Sequence, residues 1–146
     1  MVDINFTLYE DFAKHAKAKP NDLALYYKGK IIRFGKLLKL IDKMANVLTY
    51  KLGVKAGDVV LVSQPNIPEV IIVTFALNKI GAINNLVHPF TPYNQLVNIF
   101  KSTKSKLAIL FEQRVAKEVE AYRDFPGKVV VTRIEDYLPL GKKIIY

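Results

Sequence analysis

The sequence has no cysteine, and that absence removes three chemistries at once: disulfide cross-links, thiolate nucleophiles and cysteine-ligated metal sites. Histidine is nearly as scarce. His15 and His88 are the only two, with no cysteine beside either, so no zinc ligand set is assigned. Arginine supplies just four of the 22 basic residues, Arg33, Arg114, Arg123 and Arg133. Lysine is a compact, well-hydrated cation, whereas arginine is the planar fork that reads phosphates and bases. The formal charge of +9 therefore reads as solvated lysine surface, and no nucleic-acid partner is expected. The longest apolar run, residues 70–87, is broken by Asn78, Lys79, Asn84 and Asn85. A membrane span needs about 20 mostly apolar residues, so none is predicted, and only peripheral membrane contact is left open. The opening residues MVDINFTLYEDF have neither the basic nor the apolar region of a secretory leader. With the missing cysteines, this leads to an expectation of a cytoplasmic protein.

What is present is a chain of 146 residues, 51% hydrophobic, enough for the core of one domain, residues 1–146. Thr7-Leu8-Tyr9-Glu10 spells a capping box for a helix that reaches about Lys19 and is stopped by Pro20. Residues 23–34 read as two short strands around Lys28-Gly29, where Gly29 supplies the positive φ of a tight hairpin turn. From residue 36 to 52 the apolar positions Leu37, Leu40, Ile41, Met44, Leu48 and Leu52 mark one helical face, closed by Gly53. Gly57-Asp58 then turns the chain into the short apolar strand 59–62. Asn66 is expected to cap the next helix, with Pro68 in its first turn and Glu69 at its third position; Lys79 and Gly81 close it. Further strands are expected at 82–87, 107–111 and 128–132, with helices between them from Thr91 or Pro92 to about 103 and over 112–122. Strands alternating with helices imply an α/β fold with a mainly parallel sheet of about four strands and crossover helices. The helix and hairpin of residues 1–35 are expected as a separate decoration on the βα layer of residues 36–146.

Candidate chemistry is sparse. A Walker loop needs two glycines five apart followed by Lys and Ser or Thr; Gly29 and Gly35 are six apart, and Gly35-Lys36 runs into Leu37. Neither a GxGxxG run nor a GxSxG nucleophile elbow is present. His88, in His88-Pro89-Phe90-Thr91-Pro92, follows a strand and precedes a helix, where open α/β sheets face their ligands. Ser63 ends the preceding strand. Both are carried as substrate-loop candidates, with the simpler reading that His88 satisfies backbone groups in a proline-rich turn. Asn66 and Glu69 occupy the equivalent position one unit earlier and read as caps, since Glu69 would repel a phosphate. Lys28-Gly29-Lys30-Ile31-Ile32-Arg33-Phe34 lacks the stacking aromatics of an RNA-binding sheet.

Five landmarks occur in order: Gly53-Val54-Lys55-Ala56-Gly57-Asp58, Asn66-Ile67-Pro68-Glu69, Lys79-Ile80-Gly81-Ala82, His88-Pro89 and Gln95-Leu96. In this order and spacing they resemble the N-terminal region of AMP-forming acyl-CoA synthetases, the adenylate-forming enzymes, over about residues 7–138. Two substitutions stand out against that pattern: His88 sits where the family usually has Asn, and Gln95 where it usually has Glu. Arg33-Phe34-Gly35-Lys36-Leu37 also replaces the family's Thr-Tyr-x-Glu-Leu, so the helix there should start without a side-chain cap.

The resemblance implies a ligase of the fatty-acid-using branch, joining a carboxylate to CoA through an acyl-adenylate at the expense of ATP. ATP, Mg²⁺ and CoA are implied for full-length members. The family's Ser/Thr/Gly-rich phosphate loop, its ribose-gripping aspartate and its mobile lysine match nothing in these residues, so the chain by itself is expected to be inactive and to hold no cofactor. A scaffold that self-associates, or that complements a chain carrying the remaining motifs, is the alternative. A basic nucleic-acid-binding domain is the weaker one.

Overall fold

The computed structural model describes residues 6–133. Its elements run α1 (Leu8–Ala18), β1 (Leu23–Tyr27), β2 (Lys30–Arg33), α2 (Phe34–Asn46), β3 (Val59–Ser63), α3 (Pro68–Ile80), β4 (Ile83–Leu86), α4 (Tyr93–Ser102), β5 (Leu107–Phe111), α5 (Glu112–Lys117), α6 (Val119–Arg123) and β6 (Lys128–Thr132). The α/β expectation holds. Four strands form a parallel sheet in the order β4-β3-β5-β6, and β1 and β2 pair as a separate antiparallel hairpin.

Parallel strands need crossovers, and the strand order makes those crossovers diverge. The step from β3 to β4 runs outward through α3, whereas the step from β4 to β5 returns past β3 through α4. Side chains sort accordingly. Val60, Val62, Leu107 and Ile109 pack with α2 and α3, while Leu61, Ala108 and Leu110 pack with Leu96 and Phe100 of α4 and with Tyr122 and Phe125. Every residue of β5 is buried, as expected of a strand covered on both faces.

The sequence-read capping box is present: the Glu10 amide donates to the Thr7 hydroxyl and the Thr7 amide to the Glu10 carboxylate. The hairpin turns on Lys28 and Gly29, both at positive φ (47° and 92°). That pair of values is what a two-residue turn of matching twist requires, with lysine accepting the left-handed conformation. Arg33 gives α2 no side-chain cap, as its sequence implied.

Four expectations need correction. The N-cap of α3 is Ile67, not Asn66, and Pro68 takes the first helical position with Glu69 second. Proline's fixed φ suits that position and forces the residue before it to be extended, so Ile67 becomes the last non-helical residue and Asn66 stays outside. The helix predicted over 36–52 ends as an α-helix at Asn46 and continues as a π-helical turn, Val47–Lys51, with the Leu52 amide donating to the Val47 carbonyl. The wider turn keeps Leu48 buried and delivers Val54 to the core. Residues 112–122 break at Glu118 (φ −135°), which turns α6 so that Tyr122 enters the aromatic cluster with Tyr93 and Phe125. Finally, α1 and the hairpin are not a separate decoration. Tyr9, Phe12, Ala24, Leu25 and Ile32 belong to the same core as β3 and α3. Because α3 is apolar nearly all round, it needs cover on the side away from the sheet, and α1 and α2 provide it.

A polar knot fastens that cover. The Tyr9 hydroxyl donates to Asp42 Oδ1 at 2.6 Å, Lys79 Nζ donates to the same oxygen at 2.8 Å and lies 4.9 Å over the Tyr9 ring, and the Tyr9 amide donates to Asn78 Oδ1. Partial burial pushes the Asp42 carboxyl up, but hydrogen bonds from Lys79 and Tyr9 outweigh it and hold the group below its ordinary value. The same contact with Asp42 holds Lys79 above its own, against the effect of burial.

Two predictions follow from this packing. A Cβ on Gly127 would lie 2.3 Å from Phe100 Cζ, so Gly127→Ala is expected to lose about 1–3 kcal/mol in urea unfolding, with Phe100→Leu in the same chain recovering part of it. A carboxyl with a depressed folded pKa stabilises above its unfolded value, and that contribution is lost as pH falls through the folded value. Stability should therefore decline below about pH 3.9, and Asp42→Asn should flatten that acid limb; the change stays under about 1 kcal/mol because the pair is partly solvated. Chemical denaturation between pH 2 and 6 reads both.

Candidate functional site

The helices after β3 and β5 leave toward opposite faces, so the carboxyl ends of these adjacent strands bound the crevice where open α/β sheets place ligands. Two polar residues sit there deeply buried, Ser63 and Gln64, the latter 4% exposed. Ser63 Oγ donates to the His88 carbonyl at 3.2 Å. The structure thus brings the two sequence candidates together, but through the histidine backbone. The exposed His88 ring instead accepts the Phe90 amide at Nδ1, 3.2 Å away, and lies 5.7 Å from the Phe90 ring at a tilt of 54°. That is the turn-satisfying role of the simpler reading, and it leaves Ser63 with no base to take its proton.

Gln64 and Thr132 went unread in the sequence. The Thr132 hydroxyl donates to the Leu110 carbonyl at 3.3 Å, so it can only accept from Gln64 Nε2, at 2.6 Å, and the amide orientation is fixed by that order. Gln64 Oε1 is left as a buried acceptor with no hydrogen-bond partner in the structure. The carboxyl ends of β3, β5 and β6 are tied in this way across the mouth of the sheet.

Arg114 was also missed. Its Nη1 donates to the Pro89 carbonyl at 2.5 Å, its Nη2 to the Thr91 carbonyl and its Nε to the Tyr122 hydroxyl. One guanidinium fork thereby fixes the 88–92 loop against α5 and α6. Burial pushes the Tyr122 phenol up, against the opposing pull of Arg114. Beside this clamp lies a cleft of about 160 Å³ between the loop (Pro89, Phe90, Thr91) and Phe111, Arg114 and Lys117. The available signal was arginine's scarcity: one of only four sits three residues after the end of a fully apolar strand.

The other landmark residues build scaffold. Gly57 and Gly81 adopt positive φ (81° and 79°), and the Gly57 amide donates to the Gly81 carbonyl, which joins the entrance of β3 to the exit of α3. Asp58 accepts from the Lys55 amide and from Lys106 Nζ, and the Lys106 contact leads in holding its carboxyl below the ordinary value. Gly53 lies at φ 68° beyond the π turn, and Pro89 offers its carbonyl to Arg114. Glu69 is buried in the first turn of α3. The connections 64–67 and 87–92 contain no glycine, and α5 follows β5 directly. A glycine-rich phosphate loop is therefore not formed by these connections. Among the described residues no group of three or more His, Asp or Glu is placed to hold a metal ion.

Comparison with known proteins places this scaffold. A family model described as AMP-binding enzyme matches residues 12–143. The chain belongs to the AMP-binding enzyme family. Acetyl-coenzyme A synthetase 1 of Saccharomyces cerevisiae is 33% identical over 134 residues, covering 82% of this chain and 19% of that protein. Its counterpart in Candida albicans is 41% identical over 85 residues, covering 54% of this chain and 12% of that protein. This AMP-binding chain thus spans about a fifth of the length of the curated relatives it matches. The fold recurs in a mutant form of coronafacic acid ligase from Pectobacterium brasiliense, at TM-score 0.81, 22% identity, and 87% of this chain against 25% of that one. A benzoate CoA ligase from Burkholderia xenovorans gives TM-score 0.79 at 12% identity, covering 87% and 26%. The family resemblance read from the five landmarks is therefore established. Among the described residues of this AMP-binding chain, no helix is long and apolar enough to cross a membrane.

Replacing Arg114 tests the clamp. Arg114→Ala leaves two carbonyls and a phenol short of a donor and should cost about 1–3 kcal/mol. Arg114→Lys, which lacks the fork, should recover little of it. Hydrogen exchange at the Phe90 and Thr91 amides should quicken in both variants, while exchange in β5 keeps its rank order.

Proposed function

We propose that this chain provides the N-terminal scaffold of an AMP-forming carboxylate–CoA ligase. The parent reaction joins a carboxylate and ATP into an acyl-adenylate with release of pyrophosphate; the thiol of CoA then displaces AMP to leave the thioester. The family match over residues 12–143 carries this reading. Its support in the structure is a parallel sheet whose polar carboxyl ends, Ser63, Gln64 and Thr132, are braced by an arginine-clamped loop.

In that reading the chain's own residues orient rather than react. Arg114 holds the 88–92 loop, the Ser63 hydroxyl anchors that loop to β3, and His88 organises its turn. Ser63 and His88 thus shape a substrate-side wall without exchanging a proton. ATP and Mg²⁺ would supply the activated phosphoryl group and its charge neutralisation, chemistry that needs a phosphate cradle and a cation site. The described residues contain no glycine-rich phosphate loop and no group of three metal-ligating side chains, so no step is assigned to them. On this proposal the isolated chain is expected to be inactive.

The carboxylate class is open to a direct choice. Fatty-acid use came from the landmark resemblance alone, whereas the curated relatives at 33% and 41% identity are named acetyl-coenzyme A synthetases, which favours a short carboxylate.

ATP–pyrophosphate exchange decides the reading. The 146-residue chain with acetate, butyrate or palmitate should give background exchange only; exchange above background would overturn the assignment of inactivity. An enzyme that contains this sequence in its natural full length should show carboxylate-dependent exchange, strongest with acetate. Failure with every carboxylate would remove the ligase reading.

A further inference from the structure

The two edges of the parallel sheet differ in chemistry. β6 starts on Lys128 and is followed by Arg133, which pairs with Glu112. β4, Ile-Asn-Asn-Leu, carries no charge and no proline, and it pairs with β3 without a bulge. Its Ile83 and Leu86 side chains are 54% and 57% exposed. Natural sheets protect such an edge with lysine, proline, a bulge or a short strand; β4 has only four residues but carries none of the other three devices.

The ladder says which backbone groups are free to pair. The Ile83 amide donates to the Asp58 carbonyl and the Val87 amide to the Val62 carbonyl. In a parallel pair these positions alternate, so Ile83, Asn85 and Val87 face β3 while Asn84 and Leu86 turn their N–H and C=O groups outward. The side chains flanking the edge are neutral: Asn84 Nδ2 donates to Thr74 while its Oδ1 is buried without a hydrogen-bond partner, Asn85 Nδ2 approaches Thr103 at 3.4 Å, and Thr103 bonds Ser105.

We propose that β4 is a self-association edge, on which β4 of a second copy of this chain pairs antiparallel across a two-fold axis. With the axis at Asn85, Asn84 stands opposite Leu86 of the second copy and Leu86 opposite its Asn84. Both positions face outward, so each pair exchanges its two N–H···O bonds, and Asn85 meets Asn85 as the close, non-hydrogen-bonded pair. The strand meets its own requirement under the symmetry, which is the condition for an isologous interface. No other occupant is needed to match the spacing, and no charge is buried. The chain's +9 charge opposes association at a distance while the edge itself is neutral, so added salt strengthens the dimer. This inference rests on the sheet alone and is independent of the ligase reading.

Sedimentation velocity of the 146-residue chain should show a species of twice the 16.6 kDa chain mass, tighter in about 0.5 M NaCl than in low salt. Leu86→Lys places a charge on the edge, and Leu86→Pro removes an outward N–H without touching the β3 ladder. Each should raise the dissociation constant at least about tenfold. Val131→Lys, on the β6 edge, should leave it unchanged. The absence of native cysteine makes a register test clean. Asn85→Cys, treated with diamide, should give a disulfide-linked dimer, because that pair falls within bridging distance. Ile83→Cys, which lies opposite Val87 of the second copy, should stay monomeric on a non-reducing gel. The cysteine pair keeps the test decisive if a Leu86 variant fails to fold. A chain that is monomeric at every concentration and salt overturns the proposal. So does a dimer abolished by Val131→Lys but not by the Leu86 variants, or cross-linking through Ile83→Cys in place of Asn85→Cys.

Discussion

Pairing of β3 with β5 is the constraint on which the rest of the molecule depends. Val60, Leu61 and Val62 are fully buried, and all five residues of β5 are buried beside them. Each such aliphatic side chain contributes about 1.5–3 kcal/mol when removed from water, and along a strand these side chains point alternately to both faces. Neither face can be left to solvent. Helices must cover both, and the strand order β4-β3-β5-β6 delivers them: α3 on the outward crossover, α4 on the return. The cover has its own demand. α3 is apolar nearly all round, so α1, α2 and the hairpin close over it as a further layer, held by the Tyr9–Asp42–Lys79 knot.

That same pairing places the candidate site. Because the chain leaves β3 and β5 toward opposite faces, their carboxyl ends are not roofed by their own helices. This is where the interior turns polar, with Ser63 and Gln64 buried at the end of an otherwise apolar strand. Arg114 braces the neighbouring loop through two backbone carbonyls and the Tyr122 hydroxyl, a use that the planar fork of arginine permits and lysine does not. Membership of the AMP-binding enzyme family gives this arrangement a context, and the connections that follow β3 and β4 contain no glycine.

Features set within a few residues were legible in the sequence. The Thr7 capping box, the Gly29 turn, the Gly81 helix end and the four strands depend on local hydrogen bonding, positive φ and short apolar runs. Where two local signals competed, the more rigid prevailed: Asn66 is a good cap by side chain, but the ring of Pro68 moved the helix start to Ile67. The break at Glu118 had no local mark, since nothing around it is glycine or proline; it follows from the need to bring Tyr122 to Tyr93 and Phe125. His88 was legible as a turn residue, and its ring indeed accepts the Phe90 amide two positions on; the Ser63 hydroxyl that meets its carbonyl was not legible as a partner, because it comes from a strand 25 positions earlier.

By itself, then, the sequence determined the fold class, the parallel sheet, the family and the lack of a glycine phosphate loop, since each is written in residue type and spacing along the chain. The tertiary structure alone decided that α1 and the hairpin share the main core, that Gln64 meets Thr132, that Arg114 grips the 88–92 loop and that β4 lies uncharged at the sheet's edge. Those are contacts between segments far apart in sequence, and only the order in which the strands pair brings them together.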